Sequence, residues 1–231
     1  MAKVVILSGA GLSAESGIKT FRGNNGLWKN YNVMEVCSIE GYAKDPKLVL
    51  DFYDARRKDI EDKVPNEAHR MLARIKEKYP GDIAIITQNV DNLLEKAGCK
   101  DIIHLHGTLT DLRCEVCQHV FNIGYISQKE QSCPSCKSNK IRHNVVMFGE
   151  SAPLYVELNK EISDAQLLVV IGSSGQVIDS ASLARFIGHA VLNNIDIDEY
   201  HDQYFQTKFY EKASVASEKV EAYIEEFLRV T

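Results

Sequence analysis

The sequence predicts an α/β fold, a doubly wound parallel sheet with a small metal-binding module inserted into it. Three observations carry that expectation. Short runs rich in Val and Ile recur along the 231 residues, amphipathic stretches separate them, and one polar segment holding two Cys-x-x-Cys pairs breaks the rhythm.

The apolar runs are Val4 to Leu7, Ile83 to Ile86, Ile102 to Leu105, Leu167 to Ile171 and Val191 to Ile197. Runs this short and continuous suit strands covered on both faces, as in a parallel sheet flanked by helices. Pro46 to Asp59, Asn66 to Lys78, Ser180 to His189 and Ser214 to Leu228 read as helices. In the last, Val220, Tyr223, Ile224 and Phe227 fall on one face. Thr108 to Asn144 is polar and poor in branched apolar residues, so it reads as the insert.

Composition narrows the class. A hydrophobic content of 45% supports a buried core, and a formal charge of −5 with interleaved signs offers no basic face for phosphate backbones, so nucleic acid is not an expected partner. The apolar start is too short for a signal peptide, and no 18 uncharged apolar residues occur together. A cytoplasmic protein without a membrane partner is expected. Of six cysteines, four lie in the two pairs, which in a reducing compartment points to metal. Cys37 and Cys99 read as small hydrophobes.

Several clusters carry chemistry. The first strand runs into Gly9-Ala10-Gly11-Leu12-Ser13-Ala14, small residues that let backbone N–H groups approach a pyrophosphate, although a tight turn without ligand also uses glycine. Thr87 to Leu93 places Gln88, Asn89 and Asp91 past the carboxyl end of a strand, where either a ligand or a capped turn would use them. In His104-Leu105-His106-Gly107, strand alternation puts both histidines on one side. Cys114 and Cys117 are separated from Cys133 and Cys136 by fifteen residues, a zinc-ribbon spacing, and a complete thiolate set implies one structural zinc that needs neither His119 nor His143. Tyr53 and Arg56 stand three apart and so share a helical face, which in a generic helix is a solvated basic patch.

From Gly9 to Arg22 the chain resembles the sirtuin signature Gly-Ala-Gly-x-Ser-x-x-Ser-Gly-Ile-Pro-x-Phe-Arg, with Lys19 where proline is usual. Further similarity lies in Gln88-Asn89-Val90-Asp91, His106-Gly107, Val146-Met147-Phe148-Gly149-Glu150, Gly172-Ser173-Ser174 and Asn194-Ile195-Asp196. The resemblance implies a Rossmann-like NAD-binding domain over 1–108 and 145–231, a zinc-binding module over 109–144, and an NAD-consuming lysine deacylase. His106 would be the general base, with Asn89 and Asp91 orienting the nicotinamide end. Gly9, Ala10, Gly11, Ser13, Ala14, Phe21, Arg22, Trp28, Gln88, Val90, Gly172, Ser173, Ser174, Asn194, Ile195, Asp196 and Ala213 would complete the NAD site. Val146, Phe148, Gly149 and Glu150 would bind the acyl-lysine peptide as an added strand. Asp179-Ser180 replaces a proline-containing stretch, and Glu211 stands where glycine is common.

Tyr53 and Arg56 match the Tyr-x-x-Arg pair of the sirtuins that remove succinyl and malonyl groups, with Arg57 and Lys58 pointing elsewhere. The implied reaction starts with attack of the amide oxygen on the nicotinamide-bearing ribose carbon and ends in nicotinamide, O-acyl-ADP-ribose and free lysine. Acylated proteins are the expected partners of a monomer. Transfer of ADP-ribose to protein and a non-catalytic NAD-responsive module are the alternatives.

Overall fold

The computed structural model describes residues 2–19 and 31–230, so Phe21, Arg22 and Trp28 lie outside the described residues. In chain order the elements are β1 (Val4–Ser8), α1 (Gly11–Ala14), α2 (Val33–Val36), α3 (Ile39–Lys44), α4 (Pro46–Asp59), α5 (Glu67–Lys78), β2 (Ile83–Thr87), α6 (Leu93–Lys96), β3 (Ile102–His104), β4 (Gly107–Cys114), β5 (Val120–Asn122) and β6 (Ile141–Val145). They continue with α7 (Tyr155–Asp164), β7 (Leu167–Ile171), α8 (Ser180–Ile187), β8 (Ala190–Asn194), α9 (Glu199–Asp202), β9 (Thr207–Tyr210) and α10 (Ala213–Val230).

Six strands form one parallel sheet in the order β3-β2-β1-β7-β8-β9. The uninterrupted apolar runs follow from its two covered faces. Val4, Ile6, Leu167, Val169 and Ile171 pack with α5 and α10 residues such as Leu72, Ile75, Val220 and Ile224. Their neighbours Val5, Leu7, Leu168 and Val170 pack on the other side against Leu158 and Ile162 of α7 and Ala184 of α8. A charge on either face of these strands would therefore be buried.

Helix ends follow local chemistry. Asp45 caps α4 by accepting from Leu48 N at 2.9 Å, with Pro46 at the first position. At the other end Lys96 Nζ donates to the carbonyls of Ile60, Glu61 and Lys63. Asn66 caps α5 rather than beginning it. The helix expected to reach His189 stops at Ile187 because Gly188 turns left-handed at φ 77°.

Helix α7 and strand β9 are among the elements that were not expected. Helix α7 buries only Leu158 and Ile162 and has no side-chain cap at its start, so both its period and its start signal are weak. Strand β9 is an edge strand with alternating exposure, too short and polar to stand out. Strand β8 ends at Asn194, short of the expected Ile197.

The second sheet is antiparallel, in the order β5-β4-β6, with a register shift between Gly107 and Leu112. Gly107 is required where β4 begins. Its φ is +76°, and a Cβ there would lie 1.9 Å from the Asn144 carbonyl oxygen.

Candidate active site

The sheet order reverses between β1 and β7, and their carboxyl ends open into a cleft of about 790 Å³. Open α/β sheets bind ligands at such switch points. The turns after the two strands form its floor. Gly172 has φ +62°, and a Cβ on it would lie 2.4 Å from Leu12 N, while one on Gly11 would lie 2.6 Å from Gly172 Cα. Larger residues would force the two turns apart. Gly9, Ala10, Gly11, Ser13 and Ala14 line the cleft, as do Gly172, Ser173 and Ser174 opposite. Asn194, Ile195, Asp196 and Ala213 line its far end. Asn194 Nδ2 donates to the Ser173 carbonyl at 3.3 Å, tying two of these segments together.

The loop after β2 supplies Gln88, Asn89, Val90 and Asp91 to the same cleft. Gln88 Nε2 donates to Ser173 Oγ at 2.9 Å. Asn89 Nδ2 donates to the Gly9 carbonyl at 3.1 Å and to Ser13 Oγ at 3.2 Å, and Ser13 Oγ donates to Asp91 Oδ2 at 2.9 Å. Burial pushes the Asp91 carboxyl up, against hydrogen bonds from Leu93 N and Ser13. These side chains join loops from three strands into one polar network.

The two histidines diverge, contrary to the expectation from alternation. Strand β3 ends at His104, so the period of two does not extend to His106. His104 Nδ1 is 3.1 Å from the Asn89 carbonyl and Nε2 is 2.6 Å from Glu95. Both partners only accept, so both nitrogens donate. Burial works against that cation, but Glu95, with the Asn89 carbonyl and the Asp91 charge, outweighs it and the pKa is raised. His106 lines the cleft. Its Nδ1 lies 3.0 Å from the Gln88 carbonyl, which fixes the proton there and leaves the Nε2 lone pair facing the Tyr155 hydroxyl at 3.1 Å. Burial lowers its pKa and favours the neutral, basic form.

Burial also holds His69, beneath Ser13, and His143 at pKa values of about 4, below the ordinary 6.5. Between those values the unfolded chain binds more protons, so folding stability rises with pH across that window. Acidification from pH 7 to 4.5 is expected to lower the urea midpoint, His69 and His143 each contributing up to about 3 kcal/mol, with His104 and Asp91, whose pKa values are raised, pulling the other way. An unchanged midpoint would contradict this assignment.

Tyr53 and Arg56 of α4 both face the cleft, and both are more than nine-tenths buried, so the solvated basic patch is ruled out. Tyr53 and Cys37 belong to one buried cluster, and Arg56 lies 6.0 Å over the Phe52 ring. Arg57 points away, donating to the Leu109 carbonyl at 2.6 Å and pairing with Asp54 at 2.7 Å, while Lys58 pairs with Glu61 at the surface.

Val146, Phe148, Gly149 and Glu150 form one wall of the cleft. Strand β6 stops at Val145, before this segment. Beyond it, Val146 N donates to the His106 carbonyl at 3.0 Å, and Phe148 bridges to Ser38. The Glu150 carboxylate is engaged by Arg142, by Arg113 at 3.5 Å and by Met147 N at 2.9 Å, so it fixes this loop. Cys37 and Tyr155 also line the cleft and were missed from sequence. Cys37 looked like a core residue, and Tyr155 begins a helix that sequence did not reveal.

The four paired cysteines converge, their sulfurs all within 4.8 Å of one another. Cys114 and Cys136 approach to 3.5 Å and Cys117 and Cys133 to 3.6 Å. A tetrahedral ion with zinc–sulfur bonds of about 2.3 Å needs edges of about 3.8 Å, so the set fits one zinc ion without an open position. His119 stacks on Phe121 and His143 bonds Asp54, so neither is needed as a ligand.

The description "Sir2 family" fits the segment from residue 9 to residue 179. The chain belongs to the Sir2 family. Among its Sir2 relatives, an NAD-dependent protein deacylase of Campylobacter jejuni is 48% identical over 99% of this chain and 98% of its own length. One of Helicobacter hepaticus is 38% identical, over 98% and 99%. A mutant Sir2 homologue in complex with ADP-ribose superimposes with a TM-score of 0.84 at 33% identity, over 99% of this chain and 94% of that one. A Sir2 homologue in complex with NAD gives 0.83 at 34%, over 97% and 90%. Among the described residues no helix is long and apolar enough to cross a membrane.

Proposed function

We propose that this chain is an NAD-dependent protein-lysine deacylase whose acyl pocket favours chains ending in a carboxylate. The observation that carries the acidic preference is the placement of Tyr53 and Arg56 side by side in the cleft that also holds His106. The reading assigns residues 1–108 and 145–231 to the NAD-binding domain and 109–144 to the zinc module.

The cleft suits the co-substrate. Its floor brings two glycine turns together without side chains, and Ser13, Gln88, Asn89, Ser173 and Asn194 offer hydroxyl and amide groups for ribose. NAD, consumed in the reaction, supplies the ribose that accepts the acyl group and nicotinamide as the leaving group. Asn89 and Asp91, held by Ser13 and Gly9, orient the nicotinamide end. His106 accepts a proton from a ribose hydroxyl at Nε2, and the Gln88 carbonyl keeps the ring in the tautomer this needs. The wall from Val146 to Glu150 receives the peptide backbone. Closed thiolate coordination gives zinc a structural role, away from the chemistry.

An acyl carboxylate would accept from the Arg56 guanidinium and from the Tyr53 hydroxyl, whose proton burial retains by raising its pKa. An acetyl methyl offers neither group an acceptor. Hydrogen bonds to charged groups contribute about 1.5–3 kcal/mol, so succinyl- and malonyl-lysine peptides are expected to exceed acetyl-lysine by roughly 10- to 150-fold in kcat/KM. Arg56→Met should remove that advantage. Equal or better acetyl turnover by the unmodified enzyme would overturn the acidic preference.

A further inference from the structure

Helix α4 has two working faces. One presents Tyr53 and Arg56 to the cleft. The other is fastened to the inserted segment at several points, and the centre of that fastening is Asp54, a residue with no place in the site described above.

Asp54 Oδ2 accepts from Ser127 Oγ at 2.5 Å, and Gln128 N donates to its two oxygens at 3.2 Å each. Its Oδ1 accepts from His143 Nε2 on β6 at 3.1 Å and pairs with Arg57 Nη1 at 2.7 Å. Arg57, fully buried, donates onward to the carbonyls of Leu109 at 2.6 Å and Ile126 at 3.2 Å. The Tyr53 ring packs on the His143 ring at 5.3 Å, so one of the two acyl-facing residues touches this fastening directly. Sequence spacing explains the division: Asp54 and Arg57 stand three apart on one face, and Tyr53 and Arg56 three apart on the neighbouring one.

We propose that Asp54 is a positioning residue for acidic-acyl recognition, fixing α4 against the 126–128 loop and β6 so that Tyr53 and Arg56 meet an acyl carboxylate at hydrogen-bonding distance. This rests on the reading of Tyr53 and Arg56 given above. A directional contact to a carboxylate loses most of its strength when its donors shift by about 1 Å, whereas a methyl group in the same space makes no contact that depends on that placement. Loosening α4 should therefore penalise acidic acyl groups selectively.

The test measures kcat and KM for otherwise identical succinyl- and acetyl-lysine peptides with the unmodified enzyme, Asp54→Asn and Ser127→Ala. Asparagine keeps an acceptor oxygen but removes the charge facing buried Arg57. Ser127→Ala leaves that ion pair intact and guards against a variant that fails to fold. In Asp54→Asn, kcat/KM for the succinyl peptide is expected to fall about tenfold, mainly through KM, with the acetyl value within about twofold of the unmodified enzyme. Ser127→Ala should shift the same ratio by about threefold, the loss of one of several hydrogen bonds. A succinyl-to-acetyl ratio unchanged in both variants, or a parallel fall for both peptides with a lower Tm, would overturn the inference and leave Asp54 as a fold contact. No acidic preference in the unmodified enzyme would instead remove the reading beneath it, a separate result.

Discussion

His106→Ala is expected to lower deacylation of an acylated peptide by about 10³-fold, the middle of the range for loss of a positioned general base. The ring is held at Nδ1 by the Gln88 carbonyl, and its Nε2 lone pair faces the Tyr155 hydroxyl within the cleft. Alanine leaves nothing there to take up a ribose proton. The polar groups lining the cleft proposed to bind NAD, Ser13, Gln88, Ser173 and Asn194, keep their own hydrogen bonds, so the dissociation constant for NAD should stay within about threefold, as measured by calorimetry. Peptide-dependent nicotinamide release that persisted in the variant would remove His106 from the reaction. A matching loss of NAD binding would show a disturbed fold instead.

Stripping zinc, or replacing Cys133 by serine, is expected to unfold the inserted segment while the main sheet remains folded. The apolar cluster around the cysteines is small: Leu112 and Ile141 are buried with Cys114 and Cys133, and Phe121 and Ile123 only partly cover them. So little buried surface cannot order a loop-rich segment alone, and structural zinc contributes about 10–16 kcal/mol in small zinc peptides. Amide hydrogen exchange should accelerate across residues 112–141 on chelation, with β1, β2 and β7 still protected. Unchanged exchange in the segment would mean that the protein contacts hold it without metal. Exchange in α4 reports on its attachment to the insert through Asp54 and Arg57.

Much of the central sheet was legible because each strand of a doubly covered sheet must be apolar on both sides, and few other structures require that. The exceptions lay where burial is partial. Edge strand β9 and helix α7 each hide only a few side chains, so their patterns are diluted by residues that answer to solvent. The small sheet went unread because its strands are rich in polar residues and its order comes from β4 pairing with nearby β5 and with β6 across the cysteine segment, rather than from a run of branched residues.

The sequence alone settled the ligand chemistry of the four cysteines, the glycine turns after β1 and β7, and the family signature from Gly9 onward, since each depends on residue type at short spacing. It also put Tyr53 and Arg56 on one face of a helix. Tertiary structure decided what that face meets. Local periodicity is blind to whether a helical face borders a cavity or water, so only folding showed that Tyr53 and Arg56 are buried in the cleft. The same holds for the histidines. His104 and His106 look equivalent in a strand-like run, but the strand ends between them, and Glu95 and Gln88, on other elements of the fold, give one ring a cation's partners and the other a base's.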